Sequence, residues 1–391
     1  MSRVLTGLDV FRDHYWGKLR GSRLGLLSNQ ASLDNRLIPA KHVISRALPG
    51  QLKALFGPQH GHGGEDQDNM VETGHAVDPH LKIPVWSLYG QTREPTPEML
   101  EPMDALIIDL QDVGTRVYTF ASTMFHCMRI AADLGKKIIV LDRPNPLGGI
   151  TLEGNILQRE LFSFVGVCAL PMRHGLTMAE MAKVFQDLFL KDCDLECVPM
   201  QGWKRSMLWQ DTGLRWVMPS PNMPLAETAQ VYPGQVLWEG TNLSEGRGTC
   251  RPFEMFGAPY LDAEGIAKGL DPEVLHGCIL QEVTFRPTFH KWAQELCRGF
   301  MLHITDPRSY RPYLLSIAIL AGVIKAHRDA FAWKAPPYEY VFDTLPIELI
   351  LGDRSLREDL EKGVGPLELA ENWRSPLEEY DHWRKVYLLY P

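Results

Sequence analysis

The sequence predicts an α/β protein whose first half forms a parallel β-sheet with helices on both faces. Short apolar segments alternate with segments of helical periodicity, and the apolar segments are hydrophobic throughout, as in strands buried on both sides. The chain has 391 residues, of which 45% are hydrophobic and 23% are charged. This composition is typical of a globular protein with a substantial core. Because the length exceeds one typical domain, we expect a second domain.

Four buried strands are predicted in the first half: RLGLLSN (23–29), LKALFG (52–57), DALIIDL (104–110) and KKIIVLD (136–142). A long helix is predicted at 118–135, where apolar residues recur three and four apart and Gly135 can cap the C-terminus. A shorter helix, 38–48, follows the first strand. This strand–helix–strand order predicts a Rossmann-like α/β domain over residues 1–165.

Residues 166–391 are expected to form a second domain of the α+β class. The domain begins with an amphipathic helix at 176–190, in which Thr177 is the expected N-cap and Glu180 follows three residues later. The next stretch, 202–260, is rich in Trp, Pro and Gly and has few periodic segments, and a further helix is predicted at 316–328.

Charge and cysteine content argue against several classes of function. The formal net charge is −8, and the sequence has no long basic run, so nucleic acid is not an expected partner. No stretch reaches the roughly 18 apolar residues of a membrane helix. The seven cysteines have no zinc or disulfide spacing, and the first residues lack the apolar region of a signal peptide. These features predict a cytoplasmic protein.

Polar segments follow all four predicted strands. They read SNQ (28–30), FGPQHGHGGEDQDN (56–69), DLQDVGTR (109–116) and LDRPNP (141–146). In open parallel sheets, ligands bind just beyond the carboxyl ends of the strands, so a binding site is expected at this edge. A second dense polar segment, EGTNLSEGRGT (239–249), combines acids, hydroxyls and an arginine with three glycines.

Nucleotide and metal sites are poorly supported. The first strand is not followed by G-x-G-x-x-G, and the chain contains no P-loop motif. One loop concentrates metal-ligating residue types, but without the spacing of H-E-x-x-H, in the set His60, His62, Glu65, Asp68 and His75. Neither a cofactor nor a required metal is therefore expected.

Acid/base chemistry on a sugar fits the remaining residues best. A glycosidic bond is cleaved between a carboxylic acid and a carboxylate. Carboxyl candidates at strand ends and loops are Glu65, Asp112, Glu239 and Glu245. Side chains that could bind hydroxyls or stack on a pyranose are Arg116, Arg173, Arg247, Asn222, His174, Trp216, Tyr118 and Trp238.

Several long motifs occur together in a family-like order: FGPQHG, SLYGQTREPTPEML, DLQDVGTRVYTF, LDRPNP, LPMRHGLTMAE, WVMPSPNMP, VYPGQVLWEGTNLSEGRGTCRPFEMFGAP and the closing YLLY. On these motifs the chain, from about residue 5 to 390, resembles the NamZ-type exo-β-N-acetylmuramidases. The resemblance implies an active-site cleft between the two lobes and no cofactor. The implied reaction is hydrolytic release of N-acetylmuramic acid (MurNAc) from the non-reducing end of peptidoglycan fragments. Many relatives are exported. The lack of a leader segment in this sequence instead predicts a role in cytoplasmic recycling of imported muropeptides.

One residue departs from the family pattern. The usual loop reads P-E-H-G, and its glutamate is a leading candidate for the catalytic acid, whereas this chain has Gln59. We expect Glu65, in the same glycine-rich loop, to act as the acid, with Asp112, Glu239 or Glu245 as the second carboxylate. The residues expected to bind substrate are His60, Arg116, Tyr118, Arg173, His174, Asn222 and Arg247. The alternative is a non-catalytic saccharide-binding protein that has lost its acid.

Overall fold

The computed structural model describes residues 3–68 and 70–391. Asn69, the last residue of the polar segment 56–69, lies outside the described residues. The strands within this part of the chain are β1 (Leu24–Ser28), β2 (Leu52–Gly57), β3 (Ala76–Val77), β4 (Pro84–Ser87), β5 (Ala105–Asp109), β6 (Lys137–Leu141), β7 (Glu153–Ile156), β8 (Pro171–Arg173), β9 (Leu195–Val198), β10 (Met255–Ala258), β11 (Cys278–Phe285) and β12 (Cys297–Ile304).

The α-helices vary from one turn to about four turns in length. They are α1 (Gly7–Val10), α2 (Ala40–Ala47), α3 (Pro97–Leu100), α4 (Phe120–Asp133), α5 (Met178–Phe189), α6 (Ala226–Gln235), α7 (Ala263–Gly269), α8 (Pro312–Ala326), α9 (Pro346–Leu351), α10 (Arg354–Lys362), α11 (Pro366–Glu371) and α12 (Arg374–Arg384). Among the described residues, no helix is long and apolar enough to cross a membrane.

The first half of the chain builds a seven-stranded sheet of order β3-β4-β2-β1-β5-β6-β9. Its strands pair in parallel, except that β3 runs antiparallel to β4. The four predicted strands occupy adjacent central positions as β2, β1, β5 and β6. The predicted α/β class is therefore confirmed.

Helices cover both faces of this sheet. Successive side chains of a strand point to opposite faces, so Ile138 and Val140 join one core cluster while Ile139 and Leu141 join another. The first cluster packs under α4 and α5. The second packs under α2 and the helical segment 7–19, which begins with α1. Because central strands are buried on both faces, their sequences are apolar without alternation.

The large sheet extends past the domain boundary expected at residue 165. Strand β9 begins at Leu195 and pairs in parallel with β6, and the expected boundary falls between β7 and β8, which pair with each other. Strand β9 reads LECV, and most of it is only partly buried. A short edge strand of this kind lacks the apolar run by which the central strands were predicted.

The later part of the chain combines a three-stranded antiparallel sheet, of order β10-β12-β11, with helices α6 to α12. This agrees with the predicted α+β character. Helix α8 is apolar around most of its circumference and is almost entirely buried. Helix α6 packs closely against it: a Cβ atom at Gly234 would lie only 2.0 Å from the Pro312 carbonyl oxygen.

Candidate active site

A cavity lies beyond the carboxyl ends of β2 and β5, where loops of the parallel sheet meet loops from the C-terminal half. It contains about 480 Å³ of space free of atoms, including its mouth. The N-terminal side chains that line it include Gln59, His60, Tyr118 and Thr119. The polar side chains from the later part of the chain are Ser220, Asn222, Tyr232, Glu239, Arg247, Tyr338 and Glu339. This is the sheet edge at which the sequence predicted a ligand site.

Glu239 is held in the cavity wall by donors that include an arginine and a tyrosine. It lies in the 3₁₀-helix Val236–Gly240 and is nearly fully buried. Its Oε1 accepts a hydrogen bond from Arg247 Nη2 at 2.5 Å, and its Oε2 accepts one from the Tyr338 hydroxyl at 2.7 Å. The arrangement fixes the carboxylate and balances its charge with a guanidinium.

Glu245 lies behind Arg247 and does not line the cavity. Arg247 Nε donates to Glu245 Oε1 at 3.1 Å, Lys291 Nζ lies 2.9 Å from Oε2, and His290 Nδ1 lies 3.0 Å from Oε1. Burial acts to raise the pKa of Glu245, but Lys291, His290 and Arg247 together hold that pKa well below its ordinary value. A carboxylate fixed in this way orients Arg247 and through it Glu239.

A second carboxyl group in the cavity belongs to Glu339. Its Oε1 accepts from Gln59 Nε2 at 3.1 Å, and its Oε2 accepts from the Tyr89 hydroxyl at 2.7 Å. Thr119 Oγ1 donates to Gln59 Oε1 at 2.7 Å, which fixes the amide with its nitrogen toward Glu339. Burial, together with the nearby Glu239, raises the pKa of Glu339 to about 7 despite these hydrogen bonds.

His60 is a neutral imidazole with a defined tautomer. Its Nδ1 lies 2.7 Å from the Asp66 carbonyl oxygen, which can only accept, so Nδ1 carries the proton. Burial lowers the pKa of His60 to about 4. The remaining ring nitrogen, Nε2, is therefore a hydrogen-bond acceptor near neutral pH.

Two further predicted residues contribute polar atoms to the cavity wall. Asn222 donates from Nδ2 to the Gln67 carbonyl oxygen at 2.6 Å, which ties the wall to the glycine-rich loop. Burial raises the pKa of Tyr118, so its hydroxyl keeps its proton. Trp238, expected as a stacking platform, is instead fully buried and stacked on Phe256.

Comparison with known proteins assigns the chain to a family. The model of "Exo-beta-N-acetylmuramidase NamZ, N-terminal" matches residues 24–227, and the model of the corresponding C-terminal region matches residues 230–390. The chain belongs to the NamZ family. It is 39% identical over 389 residues to the "Peptidoglycan beta-N-acetylmuramidase NamZ" of Bacillus subtilis (strain 168), covering 99% of this chain and 92% of the relative.

Solved structures of similar proteins support the same assignment. A DUF1343 family protein from Bacteroides fragilis NCTC 9343 superposes with a TM-score of 0.88 at 32% identity, over 100% of this chain and 99% of that protein. A second protein of the same description and organism gives a TM-score of 0.76 at 25% identity, with the same coverage of both chains. The family resemblance read from the sequence motifs is therefore confirmed.

Within this NamZ-family cavity, the structure brings together five of the predicted site residues: His60, Tyr118, Asn222, Glu239 and Arg247. It does not bring Glu65 there. The Glu65 side chain is exposed, lies against Gly61 and Gly63, and lines a separate cavity with Lys41 and His62. The flexible glycines that were expected to carry Glu65 inward instead let it fold over its own loop.

Asp112 and His174 also lie outside this cavity, where they stabilise turns. The Asp112 Oδ2 atom accepts from the backbone nitrogen of Gly114 at 2.6 Å and lies 3.7 Å from His174 Nε2. His174 Nδ1 accepts from the backbone nitrogen of Leu176 at 3.1 Å. In both residues the side chain accepts a hydrogen bond from the backbone nitrogen two positions later in the chain, as in an Asx turn.

Arg116 and Arg173 are buried and bind main-chain carbonyl groups rather than facing the cavity. Arg116 donates to carbonyl oxygens of Ile350 and Leu351 at 2.7 and 2.9 Å. Arg173 Nη2 donates to the Leu147 carbonyl oxygen at 2.6 Å. Both guanidinium groups are buried away from the cavity and donate to main-chain carbonyl groups, so the expected role in substrate binding is not supported for either.

Sequence reasoning missed Glu339, Tyr338 and Tyr89. Glu339 lies in the segment PPYEYVF (336–342), which has no helical or strand periodicity. The available signal was an acid between two tyrosines, directly after two prolines, a composition expected of an ordered loop rather than a helix. That signal does not indicate where in space the loop packs.

Proposed function

We propose that this chain is a glycoside hydrolase, an exo-β-N-acetylmuramidase that releases terminal MurNAc from the non-reducing end of peptidoglycan fragments. The observation that supports this most strongly is the pair Glu239 and Glu339 in one cavity of a chain that belongs to the NamZ family over nearly its whole length. Glycoside hydrolysis needs two carboxyl groups in one site, held in different protonation states.

The environments of the two glutamates differ in the required sense. Glu239 is ion-paired with the Arg247 guanidinium and accepts a hydrogen bond from the Tyr338 hydroxyl. Glu339 has only neutral donors on its oxygens. We therefore assign Glu239 the role of the carboxylate that faces the anomeric carbon, as base or nucleophile.

Four other cavity residues are proposed to bind the sugar: His60, Tyr118, Asn222 and Arg247. A pyranose presents hydroxyl groups that need donors and acceptors, and MurNAc adds an acetamido group and a lactyl carboxylate. His60 Nε2 can accept, and the Tyr118 hydroxyl can donate. Arg247 brings N–H donors to the wall, while its charge is balanced by Glu239 and Glu245.

The alternative of a non-catalytic saccharide-binding protein depended on Gln59, which cannot transfer a proton. Glu339, in hydrogen-bond contact with that amide, supplies a carboxyl group at almost the same place. This observation favours a hydrolase. Saturable binding of the substrate without release of MurNAc would instead support the alternative.

We infer a reducing compartment, as in cytoplasmic recycling of muropeptides. All seven cysteines are present as free thiols, and five of them are buried. Burial raises the pKa of Cys127 and Cys168 among them, so these thiols stay protonated and unreactive.

The test uses two disaccharides that differ only in the order of their sugars. MurNAc-β-1,4-GlcNAc should be hydrolysed to its monosaccharides, and GlcNAc-β-1,4-MurNAc should remain intact, because only the first has MurNAc at the non-reducing end. Glu239→Gln should lower turnover of the first by at least about 100-fold. Chromatography of the products measures both. Cleavage of neither disaccharide, or of both equally, would refute the proposed specificity.

A further inference from the structure

We propose that Glu339 is the proton donor to the glycosidic oxygen and that Gln59 is the residue that positions it. This inference rests on the proposed hydrolase function. It moves the catalytic acid away from the glycine-rich loop that carries Gln59 and Glu65, and onto a loop of the C-terminal half, 336–344.

The side chains of Gln59 and Glu339 are in direct contact. Gln59 and Glu339 both line the cavity, and their polar atoms are 3.1 Å apart although 280 positions separate them in the sequence. An amide is too weak an acid to protonate a leaving group near neutral pH, whereas a carboxyl group can do so. The chain of hydrogen bonds from Thr119 through Gln59 fixes the Glu339 carboxyl from one side, and Tyr89 fixes it from the other.

The backbone of the loop that carries Glu339 has an unusual conformation. Glu339 and Tyr340 have φ angles of +43° and +67°, which residues with a side chain rarely adopt. Such conformations are strained and persist where surrounding contacts over-determine them. The contacts here are Arg93, whose guanidinium covers the Tyr340 ring, and the hydrogen bonds to Glu339. The loop is held so that the carboxyl enters the cavity.

On balance, burial and the groups that face Glu339 favour its protonated form. Burial raises its pKa to about 7, Glu239 acts in the same direction, and the hydrogen bonds from Tyr89 and Gln59 and the charge of Arg93 oppose this. Other titratable groups in the cavity wall are the neutral His60, Arg247, which is paired with Glu239, and three tyrosines whose pKa values burial raises, Tyr118, Tyr232 and Tyr338. Glu339 is therefore about half protonated near pH 7 and largely protonated below it.

The proposed step is a proton transfer from Glu339 to the leaving oxygen. The Glu339 carboxyl proton passes to the glycosidic oxygen as the bond between that oxygen and the anomeric carbon breaks, and the bonding electron pair stays with the oxygen. The aglycone leaves as an alcohol, and Glu339 is left as a carboxylate. Water supplies the hydroxyl that ends on the anomeric carbon, and the proton that it loses returns to a carboxylate of the site, so that exchange with solvent restores protonated Glu339.

The test exploits the dependence of acid catalysis on the leaving group. Glu339→Gln should lower turnover of MurNAc-β-1,4-GlcNAc by about 1000-fold, because an alkoxide leaves poorly without a proton. A dinitrophenyl β-glycoside of MurNAc, whose phenolate leaves unaided, should lose no more than about tenfold. Circular dichroism of each variant checks that it is folded. Equal loss on both substrates would indicate a structural role and overturn the inference.

A matched control is the same substitution at the other loop glutamate. Glu65→Gln should keep disaccharide turnover within about twofold of the unmodified protein, because Glu65 is exposed and outside the cavity. If Glu65→Gln abolished disaccharide turnover while Glu339→Gln did not, the acid would be Glu65 and the inference would be wrong. If the unmodified protein cleaved neither substrate, the proposed function itself would fail.

A swap of the two side chains tests the role of Gln59. In the double variant Gln59→Glu/Glu339→Gln the carboxyl group moves across a single hydrogen bond. Disaccharide turnover should recover at least about tenfold over that of Glu339→Gln alone. A double variant no better than Glu339→Gln would contradict the assignment of Gln59 as the positioning residue.

Discussion

A buried carboxyl group without a cation partner makes the stability of the folded protein depend on pH. The pKa of Glu339 is raised from 4.5 to about 7 in the folded protein. Folded molecules therefore keep this proton up to about pH 7, whereas unfolded ones release it near the ordinary value. The free energy of unfolding should fall as pH rises between these values and then level off. The total cost is on the order of 3 kcal/mol.

Replacing this carboxyl with a neutral side chain of the same shape should remove that cost. We expect Glu339→Gln to raise the free energy of unfolding at about pH 8 by on the order of 3 kcal/mol and to leave it nearly unchanged at about pH 4. Urea denaturation at the two pH values measures the difference. A stability gain of equal size at both values would mean that the carboxyl is not the cause.

Most of the individual site residues that could be predicted from the sequence follow a strand or lie in a dense polar loop. His60 follows β2, and Glu239 and Arg247 lie in the segment 239–249. Glu339 was missed because the approach of its loop to Gln59 is a tertiary contact. Glu65 has a carboxyl group and follows the carboxyl end of β2, but the sequence does not determine whether a loop side chain points into the cavity or away from it.

Among the elements, predictability follows burial. Strands β1 and β5 are buried at every position, so their apolar sequences identify them. The outer strands β3, β4 and β9 are short and partly exposed, and their sequences carry no comparable pattern. Tertiary context decides whether such segments pair.

The N-terminus of α5 illustrates what a local motif can and cannot predict. The capping box of Thr177 and Glu180 was predicted from their spacing and is present. The structure adds Asp142, at the end of β6, which accepts from Thr177 Oγ1 at 2.7 Å and from the backbone nitrogen of Ala179 at 2.9 Å. Burial raises the pKa of Asp142 to about 7. Because Asp142 lies 37 residues before Ala179, its capping contact cannot be predicted from the sequence of the helix alone.

At the scale of the whole molecule, the two halves are joined by polar contacts as well as by the core. Arg116, from the loop after β5, donates to four carbonyl groups, two of them at the end of α9. Tyr390 returns to the sheet, where its hydroxyl donates to Asp142 and accepts from the backbone nitrogen of Met200. These contacts join the two halves at places outside the cavity.

Arg116 should therefore act on stability rather than on substrate affinity. Arg116→Met removes a donor from four buried carbonyl groups, of which those of Leu170 and Leu351 keep a second donor. The loss should lower the free energy of unfolding by about 3 kcal/mol or more. The KM for the disaccharide should stay within about threefold while the variant is folded. Denaturation and steady-state kinetics on the same preparation measure both. A KM raised more than about tenfold with unchanged stability would restore the role in substrate binding that was expected from the sequence.

The central claim, that a protonated glutamate and a charge-paired glutamate in one cavity cleave the glycoside, is tested most directly by the pH dependence of MurNAc release. For the unmodified protein acting on MurNAc-β-1,4-GlcNAc, kcat/KM reports the ionisation of the free enzyme. We expect it to fall about tenfold per pH unit above about pH 7, where Glu339 loses its proton. A kcat/KM that stays constant or rises between about pH 7 and about pH 9 would contradict the account.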